Sequence, residues 1–199
     1  MGFGYHTVCP GVFYGKIDKP MAKEMKIIAE FCSNVGDHTW DFDAFCRAAA
    51  LAGATDAKVQ LWHTEMYPEA MREARRRYEF PRRLLPHFVQ TAHLHGLAAG
   101  ASVFDEEAVD LAARHCNWIK LAARDQDNDG LIFKATFAKN FIYRSISDLR
   151  HFSLYFNRNR QEVTTLVTVQ KYPCSMWRAL WQLARAQSSA LPPFPWGWS

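Results

Sequence analysis

The chain has no two cysteines spaced to act together. Its five cysteines among 199 residues are Cys9, Cys32, Cys46, Cys116 and Cys174, scattered and without a CxxC pair. That argues against a disulfide framework or a zinc ribbon and fits a reducing cytoplasm. Long apolar runs are missing too, since none approaches the ~18 to 20 residues of a membrane span. The opening MGFGYHTVCP has no basic region followed by an apolar stretch, so no secretory signal is expected. Gly2 raises N-myristoylation, but that pattern wants Ser or Thr where the chain has His6. There is no glycine-rich phosphate loop either. SNVGDHTW, which follows the first apolar run, is no match for G-x-G-x-x-G and disfavours a dinucleotide-binding sheet. A large excess of one charge sign is lacking too, the net being +4. Much of the excess sits in Arg72, Arg75, Arg76 and Arg77, followed by Arg82 and Arg83. This run reads as a solvated helical face or as a contact for a phosphate-bearing partner, and nucleic acid is not otherwise signalled.

What is present is 49% hydrophobic content, enough for one good core. The expected organisation is a barrel-like unit over 1–187 and a Pro/Trp-rich tail over 188–199. Short apolar runs alternate with helical stretches. The runs are Lys26 to Phe31, Ala57 to Leu61, Leu97 to Val103, Trp118 to Ala122, Phe141 to Ile146 and Val163 to Val169. Between them DFDAFCRAAALAG offers Asp41 as a cap and Gly53 as a stop, RRLLPHFVQTAHLHG ends at Gly96, and DEEAVDLAARHC starts at Asp105. GLIFKATFAKN, DLRHFSLYFNRNR and MWRALWQLARAQ read as further helices. The tail SSALPPFPWGWS is a frayed end, a docking segment or a seventh strand. The pattern is that of βα units. It predicts an α/β fold, an incomplete TIM-type (β/α)8 barrel with about six to seven βα units, because a full barrel takes ~250 residues. Closure would be missing, and an unpaired barrel edge needs a partner chain or the tail to cover it, so a homo-oligomer or a partner protein is expected.

The hexapeptide DQDNDG, Asp125 to Gly130, has the oxygen spacing and turn glycine of a calcium loop. The twelfth position, which should be a bidentate Glu, is Thr136, and the ninth is Phe133. A polar turn with a capped helix after it is the competing reading.

In a parallel barrel the ligand site lies at the C-terminal ends of the strands. The polar residues there are Glu30, Lys58, Gln60, Ser102, Asp105, Lys120, Arg144 and Ser145. Taken singly, each reads as a strand-end residue with a local partner. Together, two lysines and a glutamate facing one mouth suit an anionic substrate and proton movement. Lys120, inside the apolar WIKLA, must find a partner or lose its charge, and Lys58 follows by the same argument.

These residues fall in ordered motifs. IAEFCSNVGD is similar to an IAE-x-x-x-N-x-x-G segment, and GATDAKVQLW to GADAVKFQ. HGLAAGASVFDEEAVDLAARHCNWIKLAARDQDN is similar to a run from G-x-x-F-x-S-T-P-F-D to Y-K-I-A-S-G-D/E-x-x-N. AKNFIYRSIS is similar to GKPVILSTGM, and VTTLVTVQKYPC to a strand ending L-H-C-x-x-x-Y-P. From Lys26 to Pro173 the chain thus resembles the sialic acid synthase family, barrel enzymes that join phosphoenolpyruvate to N-acetylmannosamine or a related amino sugar. The resemblance implies a transferase in which Lys58, Ser102 and Lys120 hold the phosphate and carboxylate of phosphoenolpyruvate. Glu30 would orient the sugar or assist protons, and Gln60, Asp125, Asn128 and Tyr172 would be substrate contacts.

The resemblance also implies a divalent metal, usually Mn²⁺, as a Lewis acid for the sugar aldehyde. Its two histidine ligands belong to motifs after the seventh and eighth strands that the chain does not carry. His38 and His63 are weak substitutes. Further departures are Ala123, Arg124, Arg144 and Val167 at positions where the family has serine, glycine, serine and histidine. Arg124 and Arg144 are either replacement anion contacts or cavity fillers. The family's antifreeze-like domain is absent as well, so a truncated or divergent member is expected. Two functions follow: a condensing enzyme, or a non-catalytic scaffold derived from that barrel.

Overall fold

The computed structural model describes residues 26–31, 41–138, 141–147, 162–169, 174–178, 180, 181, 184 and 196–198. Strands β1 (Ile28–Glu30), β2 (Asp56–Leu61), β3 (Ala98–Val103), β4 (Trp118–Leu121), β5 (Phe141–Ile146), β6 (Glu162–Val167) and β7 (Trp196–Trp198) form one seven-stranded sheet in the order β1 to β7. Every pairing is parallel. A sheet whose neighbours follow chain order without reversal is barrel topology, not the doubly wound kind, whose order switches direction. The helices are α1 (Phe42–Leu51), α2 (Glu69–Arg76), α3 (Leu85–Leu94), α4 (Glu106–His115) and α5 (Asp129–Ala138). The six expected strands are all present. Trp196–Trp198, in the Pro/Trp-rich tail, pairs with β6 as a seventh. The expected helix in DLRHFSLYFNRNR lies outside the described residues, and that in MWRALWQLARAQ is helical where described.

Local chemistry sets the boundaries. Asp41 caps α1 by accepting from the Ala44 N–H at 2.9 Å, and Asp105 caps α4 from the Ala108 N–H at 2.8 Å. Gly53 and Gly96, just past α1 and α3, take φ of 84° and 74°, the left-handed stop the sequence predicted. Successive strand residues alternate faces. Ala57, Val59, Leu61, Ala99, Ala101, Val103, Ile119 and Leu121 turn outward and are buried with Phe42, Cys46, Phe88, Ala92, Val109, Ala112 and Ile132 of the helices. This outer layer is the main core.

The opposite face makes a second, smaller cluster of Trp118, Tyr143 and Leu166, with Ile28 and Phe141 packed against it. In a flat sheet β1 and β5 would lie roughly 19 Å apart at ~4.8 Å per strand. Here Lys26, just before β1, places Nζ 4.8 Å from the centre of the Phe141 ring on β5. The sheet therefore curls on itself, and its concave face is the interior of an incomplete barrel. Trp118 floors that interior, donating from Nε1 to Asp56 Oδ1 at 2.7 Å. Thr55 Oγ1 donates to the same carboxylate at 2.6 Å. The indole lies directly over Gly100, where a Cβ would overlap the ring.

The basic run divides in two. Helix α2, which carries Arg72, Arg75 and Arg76, buries no residue, as a solvated face would. Arg82 turns inward instead, its side chain only 12% exposed.

Candidate active site in the barrel interior

Register places the polar residues. Glu30 pairs with Lys58, Gln60 with Ser102, and Ser102 with Lys120. Residues paired across parallel strands share a face, and each of these shares that of Trp118 and Tyr143, the concave one. Lys58, 5% exposed, is ion-paired with Glu30 Oε2 and donates to Ser102 Oγ at 3.0 Å. Gln60 Nε2 donates to the same Glu30 oxygen at 3.1 Å. A buried ammonium holding a carboxylate and a hydroxyl satisfies the requirement that interior charge be compensated.

Lys120 sits beyond Ser102 in the same row. Burial pushes its ammonium down, the nearby Lys58 charge pushes it further, and Glu30 opposes both, leaving a pKa of about 8 against an ordinary 10.5. A lysine so poised exchanges protons near neutrality. Ser145 shares this face, being next but one to Tyr143 on β5. It is 2% exposed and its Oγ has no hydrogen-bond partner among the described residues. A buried hydroxyl in that state is costly unless a ligand or water completes it.

Other expected contacts are placed elsewhere. Arg144 pairs with Leu121, which faces the helix layer, so Arg144 and Ser145 point to opposite sides of the sheet. The Arg144 guanidinium donates to the Gln126 carbonyl at 3.2 Å. As adjacent residues of one strand they cannot both reach the interior. Asp125 pairs with Arg124, Nε to Oδ2 at 3.3 Å; burial pushes its carboxyl above the ordinary range, against the pull of Arg124. Asn128 Oδ1 accepts from the Leu131 N–H at 3.1 Å, a helix-capping bond that fits the reading of DQDNDG as a polar turn before a capped helix. Arg124 stacks its guanidinium 4.4 Å from the Phe104 ring centre. Tyr172 and His38 lie outside the described residues.

Two networks at the strand ends escaped the sequence reading. Arg82 forks onto Asp105, with Nη1 to Oδ1 at 3.1 Å and Nη2 to Oδ2, and also reaches Glu107 Oε2 at 2.8 Å and the Leu61 carbonyl at 3.0 Å. Burial raises the Asp105 carboxyl, but the Arg82 and Ala108 hydrogen bonds outweigh it and hold it below the ordinary range. The second joins His63 Nδ1 to Glu79 Oε1 at 2.9 Å, with Glu79 Oε2 accepting from the Thr64 N–H at 2.9 Å and from the Thr64 hydroxyl. Burial again pushes Glu79 up, and these Thr64 and His63 bonds bring it below the ordinary range. Arg82 was hidden inside a basic run, and Glu79 lies sixteen residues from its partner His63, so neither pairing has a local signature.

A metal at this mouth needs vacant donors. Among the described residues the one group of three ligand-type side chains close enough together is His63, Glu65 and Glu79. It has one histidine, not two, and that histidine and both Glu79 oxygens are already bonded within the network. This donor set does not fit the two-histidine centre that the resemblance implies, and DQDNDG gathers no such group at all.

Glu30, Lys58, Ser102 and Lys120, one from each of four successive parallel strands, gather as a polar cluster on the concave face of an incomplete barrel. No protein-family model matches the chain, and no curated protein matches it. Solved structures do. N-acetylneuraminic acid (sialic acid) synthetase from Leptospira borgpetersenii, solved with citrate, superposes with a TM-score of 0.72 at 19% identity, over 86% of this chain and 63% of that one. Spore coat polysaccharide biosynthesis protein spsE from Bacillus subtilis gives 0.65 at 20%, over 87% and 52%. Phospho-2-dehydro-3-deoxyheptonate aldolase from Thermotoga maritima gives 0.53 at 13%, over 75% and 43%. The chain thus shares the fold of these barrels and spans less than two thirds of each. No helix among the described residues is long and apolar enough to cross a membrane.

Proposed function

We propose that the chain binds phosphoenolpyruvate in the barrel interior and condenses it with N-acetylmannosamine or a related amino sugar. The observation that carries this is the convergence of Glu30, Lys58, Ser102 and Lys120 from four successive strands onto one concave face. Lys58 and Lys120 supply positive charge for the phosphate and carboxylate, and Ser102 a hydroxyl between them. The Ser145 hydroxyl, buried without a partner, offers a fourth contact. Glu30, held by Lys58 and Gln60, is oriented to take or return a proton from the sugar hydroxyl. No step is routed through a metal. The similar solved structures, a sialic acid synthetase among them, agree with this reading at the level of fold.

The second reading is a non-catalytic scaffold. It draws on the strand order, in which β1 and β7 do not pair with one another among the described residues, so that a homo-oligomer or another partner chain would cover that edge. Titration calorimetry with phosphoenolpyruvate separates the two, with and without Mn²⁺, on the wild type and Lys120→Ala. The enzyme reading expects saturable binding that weakens roughly 10- to 100-fold in the variant, the worth of one charge-assisted contact. No binding under any of these conditions would sink it and leave the scaffold.

A further inference from the structure

Lys58 is buried and Lys120 half-buried on the same concave face, yet they are not equivalent. Lys58 is fixed, its Nζ bonded to Glu30 and Ser102. Lys120 stands in the next interior row, paired in register with Ser102 on one side and Tyr143 on the other. The apolar floor of Trp118, Tyr143 and Leu166 lies on the same face. A lysine desolvated beside a second cation loses its proton readily, and the neutral amine is a nucleophile. Binding a ready-made enol uses only its charge and leaves this second property idle.

We propose that Lys120 is an amine nucleophile that forms an imine with a small 2-oxo acid. The 2-oxo acid is chosen by its neighbours, since its carboxylate matches Lys58, while the hydroxyls of Ser102 and Ser145 suit the carbonyl oxygen. The inference rests on reading this cluster as a site for a small anion, and adds a covalent step. Neutral Nζ attacks C2, forming the C–N bond as the C=O electron pair moves to oxygen. The nitrogen gives up a proton and the oxygen gains one, producing a carbinolamine. Hydroxide then leaves with a second proton as water, giving the imine. One amine and one carbonyl become one imine and one water, with no oxidant, reductant or metal consumed. Loss of a C3 proton from such an adduct yields an enamine, a carbon nucleophile equivalent to an enol.

The test is trapping with pyruvate and borohydride, which delivers hydride to the imine carbon and leaves a stable secondary amine. Peptide mapping locates the adduct. At a pH near 7.5, Lys120 carries roughly 100-fold more neutral amine than an ordinary lysine, so its peptide should dominate the lysine adducts. The chain's α-amino group titrates in the same range, so the site of the adduct is the readout, not the total. Lys120→Met should abolish the adduct at that peptide. Should the variant not fold, labelling of the wild type across pH serves instead, and Lys120 should become reactive near pH 8 rather than two units higher. Adducts spread evenly over the lysines, or none on the Lys120 peptide, overturn the proposal. Phosphoenolpyruvate binding without trapping sinks only this inference, and trapping without such binding sinks only the proposed function.

Discussion

Replacing Lys120 by Met should make the protein more stable at neutral pH, although it removes the residue most suited to chemistry. A pKa of about 8 in the folded chain against 10.5 means that folding disfavours the protonated form. At ~1.4 kcal/mol per unit, the charged side chain costs the fold roughly 3 kcal/mol at pH 7. Methionine keeps most of the stem and loses the charge. Contacts of the ammonium lost with it are worth ~1 kcal/mol, leaving a net gain of about 2 kcal/mol. The sign with pH follows from proton binding. Between about 8 and 10.5 the unfolded chain holds more protons than the folded one, so wild-type stability rises with pH across that window. The Lys120→Met advantage must shrink over the same window. Urea titrations of both proteins at pH 7 and pH 10, read by tryptophan fluorescence, measure this. A variant less stable than wild type at pH 7, or a difference that does not change with pH, would refute the claim that Lys120 is held as a strained cation.

Two further outcomes follow from the packing and the rim. Gly100→Ala drives a methyl group into the Trp118 ring and disturbs the bond from Trp118 to Asp56. Overpacking and a weakened buried carboxylate should together cost about 2 to 5 kcal/mol in denaturant unfolding, and a change within ~0.5 kcal/mol would show that the floor is not packed as described. Asp105 and Glu79 both have carboxyls held low, so their stabilisation is fully present above the unfolded value of ~4 and lost as pH falls below it. Asp105→Asn should lower stability at pH 7 and flatten the acid limb of the stability curve, and an unchanged limb would show that the Arg82 fork contributes nothing.

The run of strands and helices was legible because each element carries its own signal. Asp41 and Asp105 sit where caps must sit, Gly53 and Gly96 where left-handed stops must sit, and β-strand runs stand out between them. Glu30, Lys58, Ser102 and Lys120 were legible as a set because alternation puts each on a definable face. Arg144 was misplaced by the same rule applied too loosely: it and Ser145 are adjacent, so only one reaches the interior. Which one follows from the pairing of Arg144 with Leu121, a fact of register between strands.

The sequence by itself determined the βα succession, the caps and the parity of each interior residue, since these depend on neighbours a few positions away. The tertiary structure alone decided that Trp118 closes over Gly100, that Arg82 leaves its basic run for Asp105, and that Glu79 meets His63. It decided, too, that Lys58 takes the strongest share of Glu30 while Lys120 bears the cost of burial. Each of these depends on which strands meet and how far the sheet curls, and no residue carries that information alone.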